Sequence, residues 1–245
     1  MRIWTDLVSQ ASYLIQDLER MAKAKNYLAW QARLVGREIG QRVVEVGCGL
    51  GNFTSALLDR EAVIAVDIDS YCIERVRQRY PQYTNLHTFV RDITDSNDEA
   101  FSEIAGFQPD SCVCLNALEH IEDDFSALLR MKSILIPGGA IVLLVPAFEA
   151  LYGPTDKNLG HYRRYSRTSI RKLAAVTGLH IRKIHYINLI GLFGWCANSH
   201  IFHREAQSEA QIAIFDRFVV PVMSRLEAIL PPPFGQSLFV VLERP

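Results

Sequence analysis

A chain of 245 residues with 49% hydrophobic and 22% charged positions can bury one sizeable core without a second domain. Its formal net charge of −1 excludes a whole-molecule positive field for gathering nucleic acid. Five cysteines (Cys48, Cys72, Cys112, Cys114, Cys196), odd in number and without CxxC spacing, argue against a disulfide framework and for reduced thiols in a cytoplasmic protein.

The opening MRIWTDLVSQ has no continuous apolar run of the export type, and no stretch reaches the roughly 18 apolar residues of a spanning helix, so stable membrane insertion is not expected. From residue 8 to about 38, Tyr13, Leu14, Leu18, Met21, Leu28, Leu34 and Val35 recur at helical spacing without a proline, which predicts one or two amphipathic helices. Beyond Gly40 the rhythm changes to short apolar runs at 42–47, 62–67, 86–92, 110–116 and 140–147. Runs of that length, rich in valine and isoleucine and separated by amphipathic stretches, predict parallel strands buried on both faces with crossover helices between them. Residues 123–135 read as one such helix, with Asp123 and Asp124 at its positive end, Phe125, Leu128, Leu129 and Leu135 as its buried stripe, and Pro137-Gly138-Gly139 as its stop.

A further helix is predicted from a Ser166 cap to Gly178, then a strand near 180–187. Residues 188–235 read as a helical insertion ended by Pro231-Pro232-Pro233, with Trp195, Ile201, Phe202, Ile212, Phe215, Phe218, Val219 and Met223 as an apolar stripe. That stripe exceeds what a surface connector needs. It is expected to pack as a lid over an acceptor pocket with the N-terminal helices carrying Tyr13, Tyr27 and Trp30, or to form a homodimer interface; a membrane contact is disfavoured for want of a lysine-rich face. The strand SLFVVLE closes the chain. One domain follows: a helical cap (1–40), an α/β core (41–187), the insertion (188–235) and the last strand (236–245).

The chemistry concentrates after the first strand, in Glu45-Val46-Gly47-Cys48-Gly49-Leu50-Gly51-Asn52. Glycines let a ligand approach the backbone closely. A dinucleotide loop reads G-x-G-x-x-G around a pyrophosphate at a helix N-terminus; here Asn52 stands at the third glycine's position, and Glu45 would repel a phosphate but attract a cation. Asp67, at the end of the second strand and twenty positions beyond Gly47, stands where a carboxylate accepts ribose hydroxyls. An adenosine carrying a sulfonium and an amino acid terminus fits this set better than NAD does.

These segments resemble those of class I S-adenosylmethionine-dependent methyltransferases, similar to the group that acts in ubiquinone and menaquinone biosynthesis. VVEVGCGLGNFT resembles their first motif, AVDID the second, Asp92-Ile93 the adenine-contacting pair, LNALEHIEDD the fourth, and LIPGGAIVLLVPA the fifth strand with its preceding turn. The resemblance spans roughly 26–186. It implies a Rossmann-like, doubly wound, seven-stranded sheet with an antiparallel last strand. It also implies that Glu45, Gly47, Gly49 and Gly51 hold the methionine moiety, Asp67 the ribose, Asp92 and Ile93 the adenine, and Asn116 the cofactor from the fourth strand, with Ile68 a further cofactor contact.

In-line methyl transfer requires alignment, desolvation and, for a weak nucleophile, a base, but no metal. Glu119 and His120 follow the fourth strand at the ligand edge; His161, oriented by Asp156, is a further base candidate. The segment 148–165 is too long, polar and aromatic for a connector, so Tyr152, Asp156, Tyr162, Arg163, Arg164 and Tyr165, with Tyr27, are the candidate acceptor contacts. Adjacent arginines suit an anionic acceptor, unless both pair with acids of the protein. His200, His203 and Glu205 share a helical spacing that raises a metal, but no second histidine-rich motif supports it, and none is expected.

The acceptor is therefore expected to be a small or lipid-like molecule carrying an O, N or C nucleophile. A nucleic-acid substrate is disfavoured because Asn116-Ala117-Leu118-Glu119 stands where DNA amino-methylating enzymes carry Asn/Asp-Pro-Pro-aromatic. The rivals are an inactive S-adenosylmethionine-binding scaffold and an NAD or nucleotide-sugar enzyme.

Overall fold

The computed structural model describes residues 13–97, 99–196 and 209–245, excepting the side chains of Ala100 and Cys196. Helix α1 (13–21) and α2 (Lys25–Val35) precede β1 (Arg42–Val46) and β2 (Ala62–Asp67). Then follow α3 (Ser70–Arg79), β3 (Leu86–Val90), α4 (Glu99–Gly106), β4 (Ser111–Leu115), α5 (Asp124–Ile134) and β5 (Ala140–Pro146). The chain continues through α6 (Pro154–Leu159), α7 (Arg167–Thr177), β6 (His180–Ile187) and α8 (Leu189–Cys196). It ends with α9 (Glu209–Ile214), a π-helical turn (Phe215–Val219), α10 (Val220–Ile229) and β7 (Ser237–Glu243).

The seven strands form one sheet in the order β3-β2-β1-β4-β5-β7-β6. β7 runs antiparallel to both β5 and β6, while the other pairings are parallel. This is the expected doubly wound sheet with its reversed last strand. Its order changes direction between β1 and β4, and the crevice beyond the carboxyl ends of those two strands is where such sheets take ligands.

Period-two alternation explains why the strands are apolar throughout. Val44, Ile64, Cys112, Ile141 and Leu143 meet α4, α5 and α7 through Ile104, Leu128, Met131 and Ile170. Val43, Val63, Val113 and Val142 face the other way, onto Trp30 and Val35 of α2 and Val220 and Met223 of α10. Helices α2 and α10 thus share one face of the sheet.

Three expectations need correction. The glycine loop does not lead into a regular helix: only a 3-10 turn, Thr54–Ala56, forms before β2, because the short return to Ala62 is used up in turns. Helix α5 has the expected Asp123 cap, but Phe125 and Leu129 are exposed and Ala127, Leu128, Met131 and Ile134 carry its buried face. In the insertion, Trp195, Ile212 and Met223 are buried, whereas Phe218 is 63% exposed; Ile201 and Phe202 lie outside the described residues.

The π turn has a local cause. Pro221 supplies no backbone N–H and its ring crowds the preceding turn, so a continuous α-helix is not available there. The widened turn carries Asp216 inward, where its carboxylate accepts from the backbone N–H groups of Asn26 (3.2 Å) and Tyr27 (2.8 Å). Helix α2 has no side-chain cap of its own at Ala24, so the insertion provides one. Glu227 of α10 does the same for α8, accepting from Asn188 and Leu189 N–H at 2.9 Å each. Among the described residues no helix is long and apolar enough to cross a membrane.

Candidate active site

Three non-glycine residues with positive φ stand beyond the carboxyl ends of β4, β5 and β6: Asn116 (φ 50°), Phe148 (φ 65°) and Asn188 (φ 64°). Such conformations cost free energy and persist where surrounding structure imposes them, often at ligand sites. All three lie on the edge that carries the glycine loop.

In that loop Gly47, Gly49 and Gly51 have φ of 71°, 52° and 76°, values that L side chains rarely adopt. A Cβ on Gly47 would stand 2.4 Å from that of Ala117, and one on Gly49 would stand 3.1 Å from Leu18 of α1. Asp67 is tied to the loop: its Oδ2 accepts from Gly49 N–H at 2.8 Å and its Oδ1 from Asp69 N–H at 3.0 Å. Glu45 is buried and accepts from the Thr54 hydroxyl at 2.6 Å. Burial pushes its carboxyl up to about 8, against the Thr54 hydrogen bond and with help from neighbouring Asp67. Asp67 is likewise raised by burial, opposed by its backbone donors.

A buried carboxyl this reluctant to ionise calls for a cationic partner. The cradle of left-handed glycines between two carboxylates fits a ligand with a ribose at one end and an ammonium at the other. Of the remaining cofactor candidates, Ile68 is 68% exposed beside Asp67, a free apolar surface, and Ile93 is buried. Asp92 accepts from Thr94 N–H and hydroxyl, so it already serves a local turn. Asn116 has an exposed side chain and donates its backbone N–H to Leu144 O.

Beside the loop, Glu119, His120 and His161 come together, their ligating atoms all within 4.8 Å of one another. Glu119 is 1% exposed, and its Oε2 has no hydrogen-bond partner among the described residues. Burial raises its carboxyl to about 7, against the pull of His161 and Arg164. Burial, with His161, lowers His120 to about 3 despite a hydrogen bond to the Gly160 backbone, so His120 is neutral at physiological pH. The two imidazoles stand edge to face, centroids 4.7 Å apart. His161 Nδ1 lies 2.9 Å from Asp156 Oδ1, the pairing anticipated from sequence. Burial works to raise Asp156, but hydrogen bonds from His161 and Arg164 outweigh it and hold the carboxyl below its ordinary value.

The 148–165 segment divides into two populations. Arg164 and Tyr165 are buried. Arg164 binds Asp156 and the Ala147 carbonyl and lies over the Trp195 ring, 3.7 Å from its centroid; the Tyr165 hydroxyl donates to Asp124 at 3.0 Å. These two, with Asp156, hold the loop together: both border the open cleft beside it, but a 2–4% exposed side chain with internal partners has little left to offer an acceptor. Tyr152 and Tyr162 are exposed, and Arg163, paired with Asp124 at 3.0 Å, keeps a third of its side chain in solvent. With Lys172 they line an open cleft of about 540 Å³ on the α7 side of the loop. Tyr27 does not line that cleft; burial raises its hydroxyl to about 12, with the charges of Glu227 and then Glu119 adding to the rise.

Sequence reading missed Thr54 and Asp17. Thr54 stands nine residues beyond Glu45 and carries no recognisable signal. Asp17, on α1, is half-buried, its carboxyl raised by burial and drawn down by Arg20 and His161; only an unexplained acid on an apolar helix face hinted at it. His200, His203 and Glu205 lie outside the described residues.

The sheet order, the left-handed glycine loop and the paired carboxylates define a Rossmann-like domain built for an adenosine-bearing cofactor with a cationic end. The chain belongs to the methyltransferase-domain family, whose model matches residues 10–184, and its cofactor is S-adenosylmethionine. A ubiquinone biosynthesis O-methyltransferase of Xanthomonas campestris is 29% identical over 109 residues, 42% of each chain. An uncharacterized methyltransferase of Mycobacterium bovis is 35% identical over 107 residues, 42% of this chain and 50% of that one. The chain thus matches half or less of these relatives' lengths. Among solved structures, an S-adenosylmethionine-dependent methyltransferase from Mesorhizobium loti superimposes with TM-score 0.57 at 17% identity, covering 87% of this chain and 96% of that one. The N-methyltransferase NodS of Bradyrhizobium japonicum, in complex with S-adenosyl-L-homocysteine, gives 0.52 at 16%, covering 94% and 88%. At such identities the structures support the fold alone.

Proposed function

We propose that this chain transfers a methyl group from S-adenosylmethionine to an O, N or C nucleophile of a small or lipid-like acceptor by in-line displacement. The observation that carries the reading is adjacency: Ala117 lies against Gly47 of the cofactor loop, and two residues later stands Glu119, buried with an unsatisfied oxygen beside two imidazoles. The bound cofactor supplies an electrophilic methyl on a sulfonium. Glu45 faces its ammonium, Asp67 and Ile68 its ribose, Asp92 and Ile93 its adenine, and Asn116 borders it from β4.

Glu119, His120 and His161 receive the acceptor. A carboxyl near 7 and a neutral imidazole suit proton removal near neutrality. Tyr27 borders that space. Tyr152, Tyr162, Arg163 and Lys172 line the cleft beyond, a place for an anionic part of the acceptor. The buried thiols of Cys48, Cys72, Cys112 and Cys114 suit a cytoplasmic location, as a monomer or homodimer.

The test pairs calorimetric titration of S-adenosylmethionine with a mass-spectrometric search for S-adenosylhomocysteine formed from fractionated metabolite and lipid extracts. Binding with extract-dependent turnover is the expected outcome. Binding without turnover on any fraction would favour the scaffold, and absence of binding would end both readings.

A further inference from the structure

We propose that Glu119, His120 and His161 form a binding site for one divalent transition-metal ion, with open coordination positions toward the acceptor. Three potential ligand atoms converge within 4.8 Å. One of them belongs to a carboxylate 1% exposed whose Oε2 has no partner among the described residues. An unpaired buried carboxylate oxygen is costly, and a cation at the centre of this cluster satisfies it.

Each imidazole already has one ring nitrogen engaged. His161 Nδ1 is engaged by Asp156 at 2.9 Å, and Asp156 is held as an anion by Arg164 at 2.8 Å. Nδ1 therefore carries the proton and Nε2 keeps its lone pair. His120 is held by the Gly160 backbone, which leaves its other nitrogen to ligate. A carboxylate or carbonyl orienting each ligating imidazole is the usual outer shell of a metal-bound histidine.

Charge agrees with this. Glu119 and Asp156 share the buried guanidinium of Arg164, and Asp17, which feels Arg20 more strongly, is also coupled electrostatically to His161. Two imidazoles and one carboxylate favour zinc, iron(II), cobalt or manganese over magnesium. Three protein ligands leave room for solvent or substrate, so the ion would take an oxygen donor of the acceptor. With the ion bound, Glu119 and the imidazoles act as its ligands in place of the base: a hydroxyl bound there would lose its proton to solvent and attack the methyl carbon as the carbon–sulfur bond breaks, leaving an ether and a neutral thioether. That last role rests on the methyl-transfer reading; metal binding does not.

Untagged protein, stripped with a chelator, is titrated with zinc by calorimetry and with cobalt(II) by visible absorption. One equivalent should bind, and both Glu119→Gln and His161→Asn should weaken it at least tenfold. Thermal melting and S-adenosylmethionine affinity, measured without metal, establish that each variant is folded and test the cofactor reading separately. X-ray absorption of the cobalt-loaded wild type should show imidazole and carboxylate ligation. No stoichiometric binding, binding undiminished in both variants, or a ligand set lacking imidazole would overturn the proposal.

Discussion

Nε of Arg164 lies 2.8 Å from Oδ1 of Asp156, with both side chains almost wholly buried. Removing one partner of such a pair strands the other charge, at a cost of about 3–5 kcal/mol. Arg164→Ala also strips the cation from the Trp195 ring and should lower stability by that amount in urea unfolding. The neighbouring Arg163–Asp124 pair is partly solvated, and Arg163→Ala should cost about 0–1 kcal/mol while raising the acceptor KM and sparing cofactor affinity. Equal stability losses in the two variants would mean that the exposed tyrosines alone carry acceptor binding.

Glu45 makes cofactor binding depend on pH. Its carboxyl is raised to about 8 chiefly by burial, so the cofactor-free fold holds the proton well above the ordinary carboxylate range. The stability gained from that protonated group is fully present below the unfolded value and is lost as pH rises through about 8. A bound ammonium favours the ionised form, so binding near pH 7 should release protons from Glu45. Calorimetry in buffers of differing ionisation enthalpy reads this release, and the difference between wild type and Glu45→Gln isolates it from the titration of the ligand's own amine. An identical proton count in the two proteins would remove Glu45 from the ammonium site.

Asp67→Ala should weaken S-adenosylmethionine by about 1–3 kcal/mol, the range for a lost charged hydrogen bond. The substitution also frees Gly49 N–H, which Asp67 now holds at 2.8 Å, so part of the loss reflects a looser loop. Asp67→Asn keeps the shape and loses the charge, and should fall between. Unchanged affinity in both variants would sink the ribose assignment.

The grouping of the glycines with Glu45 and Asp67 was legible in the sequence because it is local: they lie within one strand-turn-strand unit, and only backbone conformation and strand register are needed to bring them together. The parallel strands were legible for a related reason, since burial on both faces writes itself as continuous valine and isoleucine. The short turn after Gly51 was misread as a helix because a fold expectation outweighed the few residues available. His120 and His161 could be named individually, but their contact depends on how the segment after β5 folds back on that after β4, where Tyr162 N–H meets Glu119 O. Thr54, Asp17 and Asp216 act through tertiary neighbours and left no periodic trace.

Asp216 offers the sharpest test of how the insertion is joined to the site. Its carboxylate caps α2 from 190 residues away, through Asn26 N–H, Asn26 Nδ2 and Tyr27 N–H. Tyr27 in turn feels the charge of Glu119 and is a proposed acceptor contact. Losing a capping side chain costs about 0.5–2 kcal/mol, so Asp216→Ala should lower the unfolding free energy by that much, read as a lower urea midpoint at an unchanged slope. Amides of the first turn of α2 should exchange faster, since their donors lose their acceptors. Because α2 carries Tyr27, acceptor KM should rise while S-adenosylmethionine affinity stays near wild type. Hydrogen exchange resolved to residues 25–29, with both ligand affinities, reads all of this. Protection of that turn unchanged in the variant would show that α2 is held by the packing of Trp30 and Val35 against the sheet, and the insertion would then have no hold on the acceptor side.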